Sequence, residues 1–509
     1  MKTKNIQLAF FIIGTILFNW FFWHEELGLN LLLYNLFIIG TSIVIYPKSK
    51  TKKTVLTTAM TSVITSIMVF IYGTTIAKFT NILSLFIFIG YVHQPQVKAI
   101  FYALFTSFIN FFTFPIKQFF IFSDAKKGSS MKYLQSLKKL RLILIPSVFL
   151  YLFYWIFKFA NPKFNELTIA FWLKYNLTIE WLFSDISFFR ISFFIVGALI
   201  IASFIYHNNI LFFIKKESKL NDIVVRKRVK LVKHIVSKTG LNSVLKPLSF
   251  GLKNEYHSAL FLIGTVNLLL LLVNYLDISW LWFNFEYSND FNLSQFVHEG
   301  TYLLILSVLL SIGIIFYFFR KNLNFFPNNN LLKRLSILWI LQNIILVISV
   351  GIRNYHYINY YGLAYKRIGV MVFLLLTLIG LITLIFKITQ LKSSFYLIKQ
   401  NTISVFVVFI LMSFFNWDVI IAKHNLKNYN SKTIDISFLL TLSDNTLPLI
   451  DQHRAILKQN NETSYYREDY ELIFKERVNY FQNKQANLSW LSMNLTTEKT
   501  KDYFNNLKN

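Results

Sequence analysis

The chain has 509 residues, of which 55% are hydrophobic and 15% are charged, against about 25% charged residues in an average soluble domain. A soluble fold so poor in charge would expose large apolar patches, so the composition indicates a protein whose solvent is the lipid bilayer. The formal net charge of +28 does not indicate a nucleic-acid partner, because the basic residues fall in short links between apolar runs. The absence of cysteine excludes disulfides, thiolate metal ligands and cysteine nucleophiles.

The first three apolar runs predict membrane-spanning helices. Residues 6–23 lead into the acidic turn 24–26 rather than a small-residue cleavage site, so we expect them to be a retained span. Runs 29–46 and 55–76 predict two more spans, since about 20 apolar residues are needed to cross the hydrocarbon core. The basic loop 47–53 separates these two runs.

Residues 80–115 form two apolar stretches with an interruption between them. Pro95 lies in the interruption and lacks the N–H that a continuing helix needs. The basic loop 116–142 is expected on the same side of the membrane as loop 47–53, which requires an even number of crossings between the two loops. We therefore favour one broken or re-entrant segment with a single net crossing, and two tilted crossings are the alternative.

The remaining apolar runs predict seven further spans, at 143–160, 186–206, 258–282, 300–319, 335–352, 368–386 and 402–420. The links between them alternate in charge. Link 207–257 has eleven Lys and Arg against three acids, links 320–334 and 387–400 are also basic, and link 283–299 has three acids with no Lys or Arg. Because basic loops stay in the cytoplasm, the alternation predicts an N-terminus inside, residues after 420 outside and about eleven net crossings.

These runs predict an all-α fold: a polytopic transmembrane helical bundle of about 11–12 spans over residues 1–421. Residues 422–509 have nearly balanced charge and no apolar run of span length, so they predict a small helical tail outside the membrane. Within the tail, Asp444 and Pro448 are typical of a helix start, and residues 467–485 have helical periodicity.

Part of loop 207–257 has the pattern of a basic amphipathic helix. We expect it to lie on the cytoplasmic surface of the bilayer, where each basic residue gains roughly 1 kcal/mol from anionic headgroups. An ordinary interfacial connector is the other interpretation. The basic residues concerned are Arg226, Lys227, Arg228, Lys230 and Lys233.

Basic and tyrosine residues on the predicted outer side are candidates for an anion or headgroup site. Arg353 and Arg367 flank a tyrosine-rich link that contains Tyr361, and Arg190 opens an earlier span. Guanidinium groups can hold phosphate or carboxylate through two hydrogen bonds. Structural pairing with acids or with carbonyls at helix ends is the alternative.

Glu25 and Glu26 are a second, acidic candidate, because a carboxylate in an external loop can act as a base or bind a metal. A solvated acidic turn is the alternative. The sequence has no nucleotide-binding, hydrolase or zinc-protease motif, and its histidines do not fall at metal-ligand spacing. It therefore predicts no catalytic residues, no metal and no cofactor.

Several segments in one order carry a family resemblance. They are Gly28-Leu29-Asn30-Leu31-Leu32-Leu33-Tyr34, the stretch from Tyr361 to Arg367, the stretch from Trp417 to Asn425, the stretch from Asp435 to Ser443 with Leu447-Pro448, and Trp490-Leu491-Ser492-Met493-Asn494-Leu495. This set resembles the bacterial multi-pass proteins catalogued as domains of unknown function 4153 and 4173. Ala364 departs from the pattern, which has Thr there. The resemblance implies a multi-pass topology in a bacterial cytoplasmic membrane, and it implies no activity.

Three functional classes remain open. A transporter, permease or lipid flippase is indicated by the many spans, the interrupted segment 80–115 and the polar residues inside spans. An envelope assembly or sensory scaffold is indicated by the basic helix and the external tail. A membrane glycosyl or lipid transferase has only Glu25, Glu26 and the external Arg/Tyr cluster in its favour. The bilayer and its anionic headgroups are the partners that the sequence predicts, and it identifies no protein partner.

Overall fold

The protein is known from a computed structural model, which describes residues 2–124, 150, 153–154, 157–171, 188–207, 211–225, 252–283, 293–319, 322–327, 329–427, 435–455, 457 and 470–507. The described residues form helices, and their β-structure is a single isolated bridge between Ile223 and Lys392. The predicted all-α fold is therefore confirmed.

The first bundle is built from the N-terminal helices. These are α1 Lys2–Phe22, α2 Leu29–Ile45, α3 Lys53–Tyr72, α4 Thr75–His93, α5 Ile100–Asp124, α6 Phe188–Ile205 and the short α7 Leu211–Glu217. Their apolar core contains Tyr34, Ile38, Phe88 and Ile201. A buried polar network also joins α2, α3 and α4: the Asn35 and Asn81 amides both donate to the Ser62 carbonyl, at 3.0 and 2.9 Å. Such bonds fasten helices where no water competes.

The second bundle contains the longest helices. They are α8 Leu252–Asp277, continued by the π-helical turn Ile278–Trp282, then α9 Leu293–Phe318, α10 Asn330–Tyr361, α11 Tyr365–Thr389 and α12 Ser394–Ser413. Trp339, Ile340 and Ile263 lie at the centre of its core. Helix α12 joins the two bundles, because Phe395 and Phe406 pack into the first core and Leu397 packs into the second.

A third, smaller core lies at one end of the bundles. It is formed by α13 Trp417–Lys427, α14 Ile436–Thr441, α15 Leu447–Gln452, α16 Tyr470–Ala486 and α17 Leu495–Asn506. We call the described residues from 417 to 507 the cap. Its buried core includes Phe474 and Phe481 together with Ile368 of α11, so the cap is packed onto the membrane bundle. The predicted helix near Pro448 is confirmed as α15, and the predicted helix at 467–485 is confirmed from Tyr470 onward as α16. Residues 467–469 lie outside the described residues.

Among the described residues, seven helices are long and apolar enough to cross a membrane: Asn5–Phe22, Lys53–Tyr72, Thr75–His93, Leu252–Trp282, Asn330–Tyr361, Tyr365–Thr389 and Ser394–Ser413. Four shorter apolar stretches lie within α2, α5, α6 and α9, at Leu29–Ile45, Ile100–Phe114, Phe189–Ile205 and Tyr302–Phe318. The predicted multi-pass membrane protein is therefore confirmed. The predicted span 143–160 lies mostly outside the described residues.

The helices end at two opposite faces. At the cap face, the backbone N–H of Leu29 donates to the carbonyl of Met493 in the cap, at 2.9 Å. At the other end, which we call the basic face, the Tyr46 hydroxyl donates to the Ile205 carbonyl at 2.8 Å. Lys387 fastens the second bundle there by donating to the Phe319 carbonyl at 2.8 Å.

The structure corrects the boundaries around the interrupted segment 80–115. The third span ends at Tyr72, because Gly73 takes a left-handed conformation (φ 62°), and α4 starts at Thr75. The first apolar stretch therefore belongs to a 19-residue helix that begins five residues before Thr80. The interruption itself is confirmed at 94–99, and α5 packs back on α4, with the rings of Phe86 and Phe111 6.0 Å apart. The net crossing number of this segment stays a prediction.

The expected last span, 402–420, was also misplaced. Helix α12 begins at Ser394 and ends at Ser413, and α13 follows as a separate helix in the cap. Ser393 accepts a hydrogen bond from the N–H of Tyr396 at 3.2 Å, so it caps α12 in the usual way for serine. The basic link 387–400 is therefore mostly helical, and Lys387 in it is buried inside α11.

Candidate functional site: a buried polar seam

A line of polar side chains runs between α8 and α10 inside the second bundle. The Asn267 amide donates to the Leu335 carbonyl at 3.1 Å, and the Gln342 amide donates to the Asn267 oxygen at 3.1 Å. Seven residues further along α8, the Asn274 amide donates to the Gln342 backbone carbonyl at 3.0 Å. We call this line, with the ion pair described next, the polar seam.

The seam ends in a buried ion pair. Arg353 Nη2 donates to Asp277 Oδ1 at 2.5 Å, and the two side chains are each 9% exposed. Removing two such charges from water costs several kcal/mol each, which their attraction repays only in part. A charge inside a membrane helix is therefore a functional candidate by default.

The helix geometry changes beside this pair. Asp277 is the last α-helical residue of α8, and the π-helical turn Ile278–Trp282 follows directly. The Trp282 indole N–H donates to the Ser349 hydroxyl at 3.0 Å, so the turn is fixed to α10. π-Helical turns occur often at functional sites, where they break the regular i to i+4 pattern.

The predicted anion-site residues each have partners of their own. Arg353 lies in the seam, whereas Arg367 donates to the carbonyls of Tyr361 and Gly362 at the end of α10. Arg367 also lies over the ring of Tyr357, 4.4 Å from its centroid. Arg190 is at the start of α6, exposed, with its guanidinium 5.9 Å from the Trp23 ring. The anion site stays a prediction, and the contacts of Arg367 are those of the structural alternative, a helix-end cap.

Glu25 and Glu26 lie where the cap meets the first bundle. The Glu25 carboxylate accepts from the Ser492 hydroxyl and from the Ser489 N–H, the latter at 3.2 Å. The Glu26 carboxylate is 2.5 Å from Lys484 Nζ in α16. Burial opposes the charged form of Lys484, but the hydrogen bond and charge of Glu26 outweigh it and raise the pKa of the lysine above its usual value. Through these contacts both acids hold the cap on the first bundle.

Residues Arg226, Lys227, Arg228, Lys230 and Lys233 lie outside the described residues, so the lipid-surface helix stays a prediction. Within the described ranges, no three His, Asp or Glu side chains are grouped as metal ligands would be.

Asp277 is the functional candidate that the sequence reasoning missed. Its signal was present, since it is an acid within the predicted span 258–282. Its partner Arg353 is 76 residues later, in the tyrosine-rich link that was expected outside the membrane. Only the length of α10, which continues to Tyr361, brings Arg353 inside the bundle.

Comparison with known proteins places the chain in a family. A family model described as "Domain of unknown function (DUF4153)" matches residues 35–453. The chain belongs to this family. The match covers the first bundle from within α2 onward, the second bundle with the seam, and the first part of the cap. It confirms one of the two resemblances seen in the sequence, and kinship with domain 4173 stays a prediction. No curated protein and no solved structure matches the chain.

Proposed function

We propose that the protein is a transporter in which charge moves through the membrane along the polar seam. The observation that carries the proposal is the ion pair of Asp277 and Arg353, held in a bundle whose other interhelical contacts are mostly apolar. Apolar residues of similar size would hold two helices together at least as well as a buried ion pair. A buried ion pair inside a membrane bundle is therefore better explained by a functional role than by a contribution to stability.

The geometry supports a pair that can change partners. One N–H···O bond joins Arg353 Nη2 to one oxygen of Asp277, and the carboxylate lies at a break in helical geometry. A small rotation of the π-helical turn would change the distance between the carboxylate and the guanidinium. Alternating exposure of such a site to the two faces is the general scheme of secondary transport.

The test is ion flux through the full-length protein in phospholipid vesicles under a potassium diffusion potential. Trapped pyranine would report protons, and radioactive sodium and rubidium would report alkali cations. We expect flux with the wild type and its loss in Asp277→Asn. The matched control is Lys399→Gln, which breaks the more exposed Asp222–Lys399 pair at the basic face and should leave flux unchanged. Absence of proton and cation flux from the wild type would overturn the proposal.

We further propose that the membrane is the bacterial cytoplasmic membrane, with the basic face in the cytoplasm and the cap outside. The support is the charge of the links, since loop 47–53 is basic and lies at the basic face. Because the chain has no cysteine, single substitutions give an unambiguous test. Lys427→Cys in the cap should react with an impermeant maleimide added to intact cells, and Thr51→Cys should not. The reverse result would overturn this orientation.

An envelope scaffold is the second candidate, and the docked cap favours it. The cap is fixed to the first bundle through Glu26 and Lys484 and to the second through Asn425, whose side chain accepts from the Leu363 N–H at 2.6 Å. It thus offers a rigid surface beyond the membrane. Deleting residues 422–509 should release partners that crosslink to the wild type, and an unchanged set of partners would count against a scaffold.

Two other possibilities from the sequence have less support. A lipid substrate is favoured by one feature, an apolar groove lined by Leu262 of α8 and by Leu306, Leu310 and Tyr317 of α9. The transferase alternative stays a prediction, since its acids Glu25 and Glu26 are engaged in docking the cap.

A further inference from the structure

Two polar contacts hold the cap at the ends of the membrane-spanning helices of the first bundle. The Thr496 hydroxyl donates to the carbonyl of Tyr72, the last residue of α3, at 3.0 Å. Lys484 Nζ in α16 lies 2.5 Å from the Glu26 carboxylate, in the turn that follows α1. The height of this side of the cap above the bilayer is therefore fixed by the ends of α1 and α3.

The length of α3 relates this height to the layers of the bilayer. The helix has 20 residues, which at about 1.5 Å per residue span about 30 Å, the thickness of the hydrocarbon core. Its end at Tyr72 therefore lies where the acyl chains meet the headgroups. Each headgroup layer is roughly 5–7 Å thick, so a cap residue that contacts this helix end directly is still inside the layer.

A turn of the cap places a tryptophan at this level. Trp490 opens the 3₁₀ turn Trp490–Ser492 and is 60% exposed, whereas the next residue, Leu491, is buried in the apolar core of the first bundle. The Ser489 N–H donates to the Glu25 carboxylate at 3.2 Å, and the Ser492 hydroxyl donates to the same carboxylate. The turn is therefore set into the end of the first bundle, with Leu491 inside and Trp490 on the surface.

Other exposed aromatic residues lie at the same helix ends. Trp20 is in the last turn of α1, where it continues an exposed apolar stripe that contains Ile16 one turn earlier. Tyr480 is exposed and lies one turn before Lys484 on α16. Trp and Tyr concentrate at the headgroup level of membrane proteins, because their rings are apolar at one end and form hydrogen bonds at the other. The surface around the junction of cap and bundle thus has the composition of a membrane interface.

The charged side chains at this junction balance one another. Glu26 contacts Lys484 and also interacts electrostatically with Lys78 in the first turn of α4. With Glu25 beside them, two acids face two lysines. Attraction to anionic headgroups is therefore weak here, and the aromatic rings are the groups that favour lipid over water.

We propose that the Trp490 side chain lies in the headgroup layer of the cap-side leaflet, so that this edge of the cap rests on phospholipid as well as on the bundle. The lipid is that of the bilayer which the helices span, because the turn holding Trp490 is set among the ends of those helices. The contact adds to the docking of the cap and does not depend on charge movement through the polar seam.

A fluorescent label at position 490 tests the contact in the full-length protein. Because the chain has no cysteine, Trp490→Cys and Leu507→Cys can each carry one NBD label in phosphatidylcholine nanodiscs. Leu507 is the matched control, since it is 61% exposed and follows the far end of α17, about 18 Å of helix from Leu495. We expect a lipid with a nitroxide on its headgroup to quench the label at 490 and aqueous iodide to quench the label at 507.

Two outcomes of this experiment would overturn the proposal. If iodide quenches both labels equally and the nitroxide lipid quenches neither, Trp490 faces water and is a contact for another protein. If the nitroxide lipid quenches both labels equally, the lipid contact is a property of the whole cap and not of this turn.

Protease resistance of the cap in nanodiscs is the second measurement. Trp490→Ser should raise the rate of cap cleavage on the order of tenfold, the equivalent of roughly 60 Å² of apolar surface returned to water in the opened state. Leu507→Ser should leave the rate unchanged. The increase should be the same in phosphatidylcholine and phosphatidylglycerol, because the junction has balanced charge. An unchanged rate in phosphatidylcholine, or an increase confined to phosphatidylglycerol, would contradict an aromatic contact with the headgroup layer.

Discussion

The carboxylate of Glu217 accepts a hydrogen bond of 2.9 Å from the backbone N–H of Ala99, a residue 118 positions earlier in the chain. Its other oxygen accepts from the N–H of Lys98, also at 2.9 Å. A few residues later the same segment meets the second bundle, where the Ser393 N–H donates to the Asp222 carbonyl at 2.9 Å. Residues 217–224 therefore form a strap that ties both bundles together at the basic face.

Glu217→Gln should loosen the strap. The amide keeps one acceptor and turns an NH₂ group toward the second backbone N–H, so one bond is lost and a donor is left unmet, at a cost of about 1–3 kcal/mol. Hydrogen exchange of the peptide over 95–104 should become faster. Asp222→Asn is the control, since Asp222 contacts Ser393 through its backbone, and the ion pair that its carboxylate makes within the described ranges is with the partly exposed Lys399. Equal exchange in both variants would contradict a role for the Glu217 carboxylate.

The second prediction concerns the fit of the cap on the first bundle. An added Cβ at Gly28 would lie 2.5 Å from the Met493 carbonyl oxygen and 2.6 Å from that of Ser492. Gly28→Ala should therefore push the cap away and expose α16 and α17 to protease. Gly40→Ala is the matched control, because a Cβ there meets nothing within 4 Å and alanine favours a helix over glycine by roughly 0.5–1 kcal/mol. Protease resistance of the Gly28→Ala cap equal to that of the control would show that the docking geometry is wrong.

Cap stability should fall in mild acid because of His424. Burial lowers the pKa of His424 below its usual 6.5, so the folded cap favours the neutral ring. Below pH 6.5 the unfolded chain binds the proton more readily than the folded cap does, and stability declines as the pH falls toward the folded-state pKa. His424→Gln should flatten this decline between pH 7.5 and 5, measured by limited proteolysis of the cap. An unchanged pH profile would assign the effect to another group.

Breaking the ion pair of the polar seam should lower the free energy of unfolding more than breaking a more exposed ion pair. Asp277→Asn leaves Arg353 buried without its counter-ion, which costs about 3–5 kcal/mol, whereas Lys399→Gln should cost about 0–1 kcal/mol. The double substitution Asp277→Leu with Arg353→Leu should recover most of the loss, because it leaves no buried charge. Thermal unfolding checks all three. A double variant as unstable as Asp277→Asn would show that the pair does more for packing than for charge balance.

The sequence predicted the positions of most membrane helices, but it did not predict which polar residues contact one another between helices. Long apolar runs such as 368–386 indicate a membrane helix directly, because only the bilayer tolerates them. The start of α12 was missed because Phe395 and Leu397 lie among the basic residues of link 387–400. The short tail helix near Pro448 could be predicted, because Asp444 and Pro448 are typical of a helix start. The Asp277–Arg353 pair could not be predicted, because loop charge says which side a link lies on but not how far a helix continues into it.

The docking role of Glu25 and Glu26 was hidden for a related reason. Their partners Lys484 and Ser492 are more than 450 residues away in the chain, and an acidic turn has the same appearance whether it is solvated, catalytic or docked. Long-range contacts of single polar residues leave no periodic signal. Such contacts become visible only in the folded structure.

Ion flux through a variant whose polar seam has lost its ion pair tests the central claim most directly. The double variant Asp277→Leu, Arg353→Leu is compared with the wild type in the same vesicles, under the same potassium diffusion potential and at equal protein incorporation. If the seam carries charge, the double variant should be folded, as its Tm will show, and its proton and cation flux should fall to that of empty vesicles. Undiminished flux through a folded double variant would contradict the proposal that charge crosses the membrane at Asp277 and Arg353.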